Sequence, residues 1–143
     1  MQIDPKISKF IKKNHVLSLN VILPDNKPWA CNTFYVFDER RMCLYLLSEL
    51  KTEHAKAMLK LPQVAGTISV TPKTIAQIQG IQFQAKATQL QKEQAKQAYA
   101  LYYRAFPFAR MIKAPIWELQ LQYIKMTNNL LGFGCKIYWQ KER

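Results

Sequence analysis

Ser48, Lys51, Thr52 and His54 place two hydroxyls, an ammonium and an imidazole within a few residues of one another. They follow directly on the apolar run Met42–Leu47, which ends abruptly at Ser48-Glu49. After the polar run Glu49–His54, the residues Ala55, Met58 and Leu59 recur at i, i+3, i+4, the spacing of one helix face, and Pro62 stops the helix. The spacing therefore predicts a buried strand, a turn and a short helix with Thr52 at or beside its N-cap. At such a helix start the first amides have no intrahelical acceptor and the helix dipole favours negative charge, so the arrangement suits a phosphate. Without further information, the same pattern also describes an ordinary strand–helix corner.

The elements that must position this corner are read from periodicity. Asp4–Lys13 is predicted helical, with Ile3, Ile7, Phe10 and Ile11 on one face and lysines opposite. Val16–Leu23 reads as a strand, and 24–28, PDNKP, as a turn. Trp29–Phe37 and Met42–Leu47 are predicted to form an antiparallel hairpin, apolar enough to be covered on both faces. Val64–Val70 alternates as a half-buried strand. Ala76–Leu90 is predicted as a long strand that changes phase at Gly80, where a β-bulge would produce the slip. Gln91–Phe106 carries a helical stripe ended by Pro107, its tyrosines directed to the core. Ile116–Ile124 alternates strictly, Trp117, Leu119, Leu121 and Tyr123 against polar partners, and Glu118 reads as an outward-facing residue. A closing strand places Phe133, Cys135, Ile137 and Trp139 on one side. Six or seven short strands with a bulge and a few flanking helices predict a mainly β fold, an antiparallel barrel.

At 143 residues the chain is expected to form one domain, 1–143. No run approaches membrane-spanning length, and the lysine-bearing N-terminus lacks the apolar stretch of a signal peptide, so a cytoplasmic protein with no membrane partner is expected. Cys31, Cys43 and Cys135 lie apart in apolar stretches and are expected to be buried thiols rather than a disulfide or a zinc site. The net charge of +12 favours anionic partners, but the lysines are spread along the chain and no element for reading a nucleic acid is apparent; no specific nucleic-acid partner is expected. There is no P-loop, no G-x-G-x-x-G and no G-x-S-x-G, and His15 and His54 are too far apart to start a metal site. The apolar segment Trp29–Leu47, with Trp117, Phe133 and Trp139, exceeds what a small barrel covers alone, so a homodimer is expected.

The stretch LYLLSELKTEHAKAMLKLPQVAGTI resembles the FMN-binding split barrels of the pyridoxamine-phosphate-oxidase-like family. That pattern is a strand ending in Ser or Thr, a short turn, Ser-x-Lys, a helix, and Pro-x-Val opening the next strand. Ser48 takes the Ser/Thr position, Thr52 the Ser, His54 the Lys, and Pro62-Gln63-Val64 the Pro-x-Val. The stretches T-x-H-A, V-A-G-T, F-P-x-A-R-M, A-P-x-W-E and L-G-F-G-x-K are similar to those of the small bacterial YhbP group. The resemblance implies a dimeric split β-barrel of Greek-key type with two FMN sites at the subunit interface. The phosphate would be held by Ser48, Thr52 and His54 with Lys51 beside them, and the isoalloxazine would lie near Asn32, Thr33 and Ser48. Because the usual lysine is His54 here, the charge at the site depends on pH or on Lys51. The Arg/His set that holds substrate in pyridoxamine-phosphate oxidases is absent from the C-terminal region, so that activity is not expected. The functions implied are an FMN-dependent oxidoreductase or a module that holds flavin, haem or another anionic ligand without turnover; a basic nucleic-acid-associated protein is the remaining alternative.

Overall fold

Asp4 opens the first helix, α1 (Pro5–Lys13): its carboxylate accepts from the Lys6 amide at 2.8 Å, and Pro5 supplies the fixed φ of a first helical position. The computed structural model describes residues 2–143. Beyond α1 the chain runs β1 (Val16–Ile22), β2 (Pro28–Phe34), β3 (Val36–Asp38), β4 (Cys43–Leu47), α2 (Glu53–Lys60), β5 (Gln63–Ser69), β6 (Gln79–Gln89), α3 (Lys92–Ala105), β7 (Ile116–Asn128) and β8 (Lys136–Gln140). All pairings are antiparallel, in the order β2-β1-β5-β6-β7-β4-β3, with β8 added to the far half of β7. The sheet curls into a half-barrel, the split-barrel architecture that the family pattern implies.

The concave side holds the main core. Leu17, Leu19, Leu44, Leu46, Ile68, Phe83, Trp117 and Leu119 point into it, and Ile7 and Ile11 of α1 with Ala55 and Met58 of α2 close it. Leu59, expected on the buried face of α2, is instead 57% exposed, because Ala57 and Met58 take the contacts on that side. A second cluster lies behind β4, where Cys43, Tyr45 and Ile116 meet Ala98 and Tyr102 of α3. Burial on both faces, expected for both strands of a Trp29–Leu47 hairpin, therefore holds for β4 alone. Burial also pushes the Cys43 thiol up to about 12. All three cysteines are free thiols, Cys31 and Cys135 only partly buried.

Three features differ from the sequence expectation, each for a local reason. First, Trp29–Phe37 is two strands rather than one. Tyr35 turns inward to 2% exposure, its amide making the last β1–β2 rung to the His15 carbonyl at 2.9 Å and its hydroxyl donating to the Ile11 carbonyl at 2.6 Å, and from Val36 the chain pairs with β4 instead. β2 consequently pairs with β1 as an edge strand, β3 pairs with β4, and the strand total rises to eight. Second, Gly80 pairs in regular register with Ser69 and Thr127, and residues Ile75–Gln77 form a 3-10 turn that accounts for the change of phase. Third, the register shift lies on β7: Gln84 faces Tyr123 and Ala85 faces Leu121, leaving Gln122 as the extra residue. Burial on β7 accordingly passes from Leu119 and Leu121 to Ile124 and Met126, whereas the unbroken alternation through Tyr123 had hidden the bulge. Of the aromatic residues expected at an interface, Trp117 and Trp139 are already buried within the single chain and Phe133 is 86% exposed.

Gly66 is a point of close approach: an added Cβ would lie 2.3 Å from Phe83 Cζ and 2.5 Å from the Ser18 carbonyl oxygen. Gly66→Ala should therefore lower the unfolding free energy by roughly 1–3 kcal/mol, the usual cost of overpacking, read from the urea midpoint. An unchanged midpoint would mean that Phe83 and β1 yield freely.

Candidate functional site

The corner is built where β4 runs into α2. Ser48 is 6% exposed and anchored through both its backbone groups: its amide donates to the Pro115 carbonyl at 3.0 Å, and its carbonyl accepts from the indole Nε1 of buried Trp117 at 3.1 Å. These bonds are strong constraints because a buried indole N–H needs an acceptor. Trp117, expected from the sequence as an interface aromatic, is not among the candidate site residues, and the signal that could have found it is its place in the A-P-x-W-E stretch.

From Ser48 the chain turns over Glu49–Lys51 into the helix. Thr52 is the N-cap: its Oγ1 accepts from the Ala55 amide at 3.2 Å and donates to the Glu49 carbonyl at 2.9 Å. Its one hydroxyl proton is thus committed, and in the 3.3 Å contact between the two hydroxyls it is Ser48 that has a proton to give. With the Ala55 amide capped and the Lys56 amide bonded to the Thr52 carbonyl, the first amides of α2, those of Glu53 and His54, have no intrahelical acceptor. His54 folds back so that its Nε2 meets Ser48 Oγ in a short hydrogen bond and stands 3.4 Å from Thr52 Oγ1.

The structure therefore brings together Ser48, Thr52 and His54. Lys51 lies at the same turn but is largely exposed and paired with Glu49 at 3.2 Å. Asn32 and Thr33 sit on β2 opposite Ser18 and Leu17, with Asn32 exposed and the Thr33 hydroxyl bonded to the Phe34 carbonyl at 3.2 Å. β2 packs against both β4 and α2, and the hydrogen bonds that build the corner run among Ser48, Thr52 and His54 without Asn32 or Thr33. Glu118, expected to face outward, is 8% exposed and held by Arg41 at 3.0 Å. Among the described residues no group of His, Cys, Asp and Glu could hold a metal ion.

Burial pushes the His54 pKa below its ordinary 6.5, so at neutral pH the imidazole is uncharged and serves as hydrogen-bond partner to Ser48. The donor set, a serine hydroxyl, free helix-start amides and a protonatable imidazole, matches a phosphate dianion: each group either donates or can gain a proton to do so.

The linkage sign for the free protein follows from the lowered pKa. As pH falls through about 6.5, the unfolded chain takes up the His54 proton before the folded one does, so stability falls with pH until the folded-state pKa is passed. His54→Gln should remove this part of the pH dependence, measured as unfolding free energy across that interval; an identical slope in the variant would show that the imidazole titrates as if exposed.

No family model matches the chain. It is 44% identical over 136 residues to a UPF0306 protein of Serratia proteamaculans, covering 95% of this chain and 94% of that one. To the UPF0306 protein YhbP of Escherichia coli O127:H6 it is 41% identical over 135 residues, 94% and 96% of the two lengths. Among solved structures it resembles a haem-binding protein of Mycobacterium smegmatis, with TM-score 0.78 at 15% identity, over 96% of this chain and 59% of that chain. It also resembles an FAD-binding protein of Mesorhizobium loti, with TM-score 0.68 at 11% identity, over 85% and 92% of the two chains. At such identities the structural likeness establishes the fold alone.

Proposed function

The chain belongs to the UPF0306 family that includes YhbP, and from that footing we propose that it is an FMN-binding protein whose Ser48–His54 corner holds the cofactor phosphate. The observation that carries this reading is the hydrogen-bonded set of Ser48, Thr52 and His54 around the uncapped amides of α2, on a split barrel. In this reading Ser48 Oγ and the Glu53 and His54 amides donate to the phosphate, Thr52 shapes the helix start, and Lys51 exchanges Glu49 for the anion. Asn32 and Thr33 on the adjoining strand flank the ring system. The flavin supplies the redox chemistry when bound. The protein orients it and keeps water from one side of it, which is the task of an FMN-dependent oxidoreductase. A second reading, a module that holds flavin or haem without turnover, draws support from the haem-binding Mycobacterium smegmatis neighbour.

The arrival of a phosphate favours the protonated His54, raising a pKa that burial had lowered. FMN affinity should then fall as pH rises from the free-protein pKa to the higher pKa of the complex, while riboflavin, without the phosphate, shows little of this trend. His54→Lys should flatten it. Ser48→Ala removes a hydrogen bond to a charged group, worth roughly 1.5–3 kcal/mol, a loss of roughly ten- to a hundredfold in affinity. Fluorescence titration of FMN tests this: equal affinity in Ser48→Ala, with no pH dependence, would place the phosphate elsewhere or leave the corner structural. A Soret band in place of a flavin spectrum in the purified protein would support the second reading.

The same proposal includes a homodimer. Trp29 and Phe34 on β2 are 47% and 54% exposed, and Leu59 and Leu61 at the far end of α2 are 57% and 44% exposed, so apolar side chains stand open on α2, which starts at the corner, and on β2, which packs against it. A second copy that covers them would also shield a flavin there from water. Sedimentation should show a dimer at micromolar concentration, and Phe34→Lys should shift it toward monomer; a wild-type monomer would remove the shared site.

A further inference from the structure

Behind the β4–β7 edge lies a second cleft that the phosphate corner does not use. Its volume is about 500 Å3, and Leu90, Lys92, Tyr99, Tyr103, Lys113 and Pro115 are among its lining residues. That volume falls within the roughly 300–1,000 Å3 of small-molecule sites. Tyr99 and Tyr103, one turn apart on α3, stack on each other with ring centroids 5.4 Å apart and planes 22° apart, and both line the cleft as an aromatic wall. The wall is held in place, because the Tyr99 hydroxyl donates to the Ala114 carbonyl at 2.6 Å. Lys92 and Lys113 both line the cleft, and no carboxylate is among the lining residues.

Lys92 has φ of +52°, left-handed backbone that a lysine adopts only at a cost. A glycine would remove that cost. A strained conformation is thus held at a residue that lines the cleft, where the chain turns from β6 into α3.

We propose that this cleft is a binding site for a planar aromatic anion, an aryl phosphate or aryl carboxylate, with the ring against Tyr99 and Tyr103 and the charge between Lys92 and Lys113. An aromatic body gains offset stacking on the tyrosine wall. An anionic group gains charge-assisted hydrogen bonds from the two ammoniums, with no competing carboxylate in the lining. The cleft also adjoins the first site in the chain: Pro115, which lines it, accepts the Ser48 amide at 3.0 Å. The proposal goes beyond the flavin reading and stands whether or not the Ser48 corner holds a cofactor.

The test is titration of the full chain with 1-naphthyl phosphate, followed by tyrosine and ligand fluorescence, with 1-naphthol and inorganic phosphate as the separated halves. Expected is saturable binding of 1-naphthyl phosphate and much weaker binding of either half. Lys92→Gln combined with Lys113→Gln should weaken it about tenfold, as loss of charge-assisted bonds to one anion predicts. Lys92→Gly keeps the left-handed backbone without strain, so weaker binding in a variant at least as stable as the wild type separates lost recognition from lost folding. Ser48→Ala should leave this binding unchanged while weakening FMN. Equal binding of 1-naphthol and its phosphate, or no loss in the lysine variants, would overturn the proposal. So would binding that follows Ser48→Ala instead, since the probe would then occupy the corner.

Discussion

Two hydrogen bonds tie the end of β4 to the start of β7, and the architecture of the Ser48–His54 corner depends on them. The Ser48 amide donates to the Pro115 carbonyl, and the Ser48 carbonyl accepts from the Trp117 indole. The first extends the β4–β7 ladder one step past its last paired residues, Leu47 and Ile116, and the second pins the carbonyl that follows, so the chain leaves the sheet at a defined point and in a defined direction. Trp117 is itself fixed by burial in the main core at 1% exposure, so the corner inherits the rigidity of that core. Were this anchor absent, the reach of His54 back to Ser48 would depend on a flexible turn.

β7 makes such an anchor possible because it is shared. Its first half pairs with β4 on one side and its second half with β8, while β6 runs along the other side throughout. A flat strand could not serve both partners across a curled sheet. The bulge at Gln122 rotates the strand by one residue, so that inward-facing positions change from odd to even between Leu121 and Ile124. Curvature and the change of partner thus occur at the same place.

Polar groups at the corner are arranged in order of freedom. The Thr52 hydroxyl is used by the helix cap and the turn, whereas Ser48 Oγ and His54 Nε2 bond to each other and reach otherwise only to Thr52 Oγ1, with no backbone group among their partners. A pair of that kind can open toward an incoming acceptor without leaving a buried group unsatisfied. The neutral state that burial imposes on His54 means that an anion bound here would couple to proton uptake, a property that a lysine at this position would not have.

Much of this was legible in the residues. Apolar alternation in Val64–Ser69 and Ile81–Ala87, the capping position of Thr52 and the stop at Pro62 are local properties, set by side-chain period and by hydrogen bonding within a few residues, and they place the strand–turn–helix corner correctly. The family pattern pointed to Ser48, Thr52 and His54, which are bonded to one another, and the split-barrel fold agrees with it. What only the tertiary structure decided involves partners far apart in sequence. Tyr35 splits an apolar run because its hydroxyl finds Ile11 and the residues after it pair with β4; the bulge falls at Gln122 rather than at Gly80 because β7 must change neighbours; and Glu118 turns from a solvated residue into the partner of Arg41. Trp117 likewise looks like one more apolar strand residue until its indole is seen to hold Ser48. Periodicity reports which face of an element is apolar, but which groups satisfy its buried polar atoms is settled only when distant segments meet.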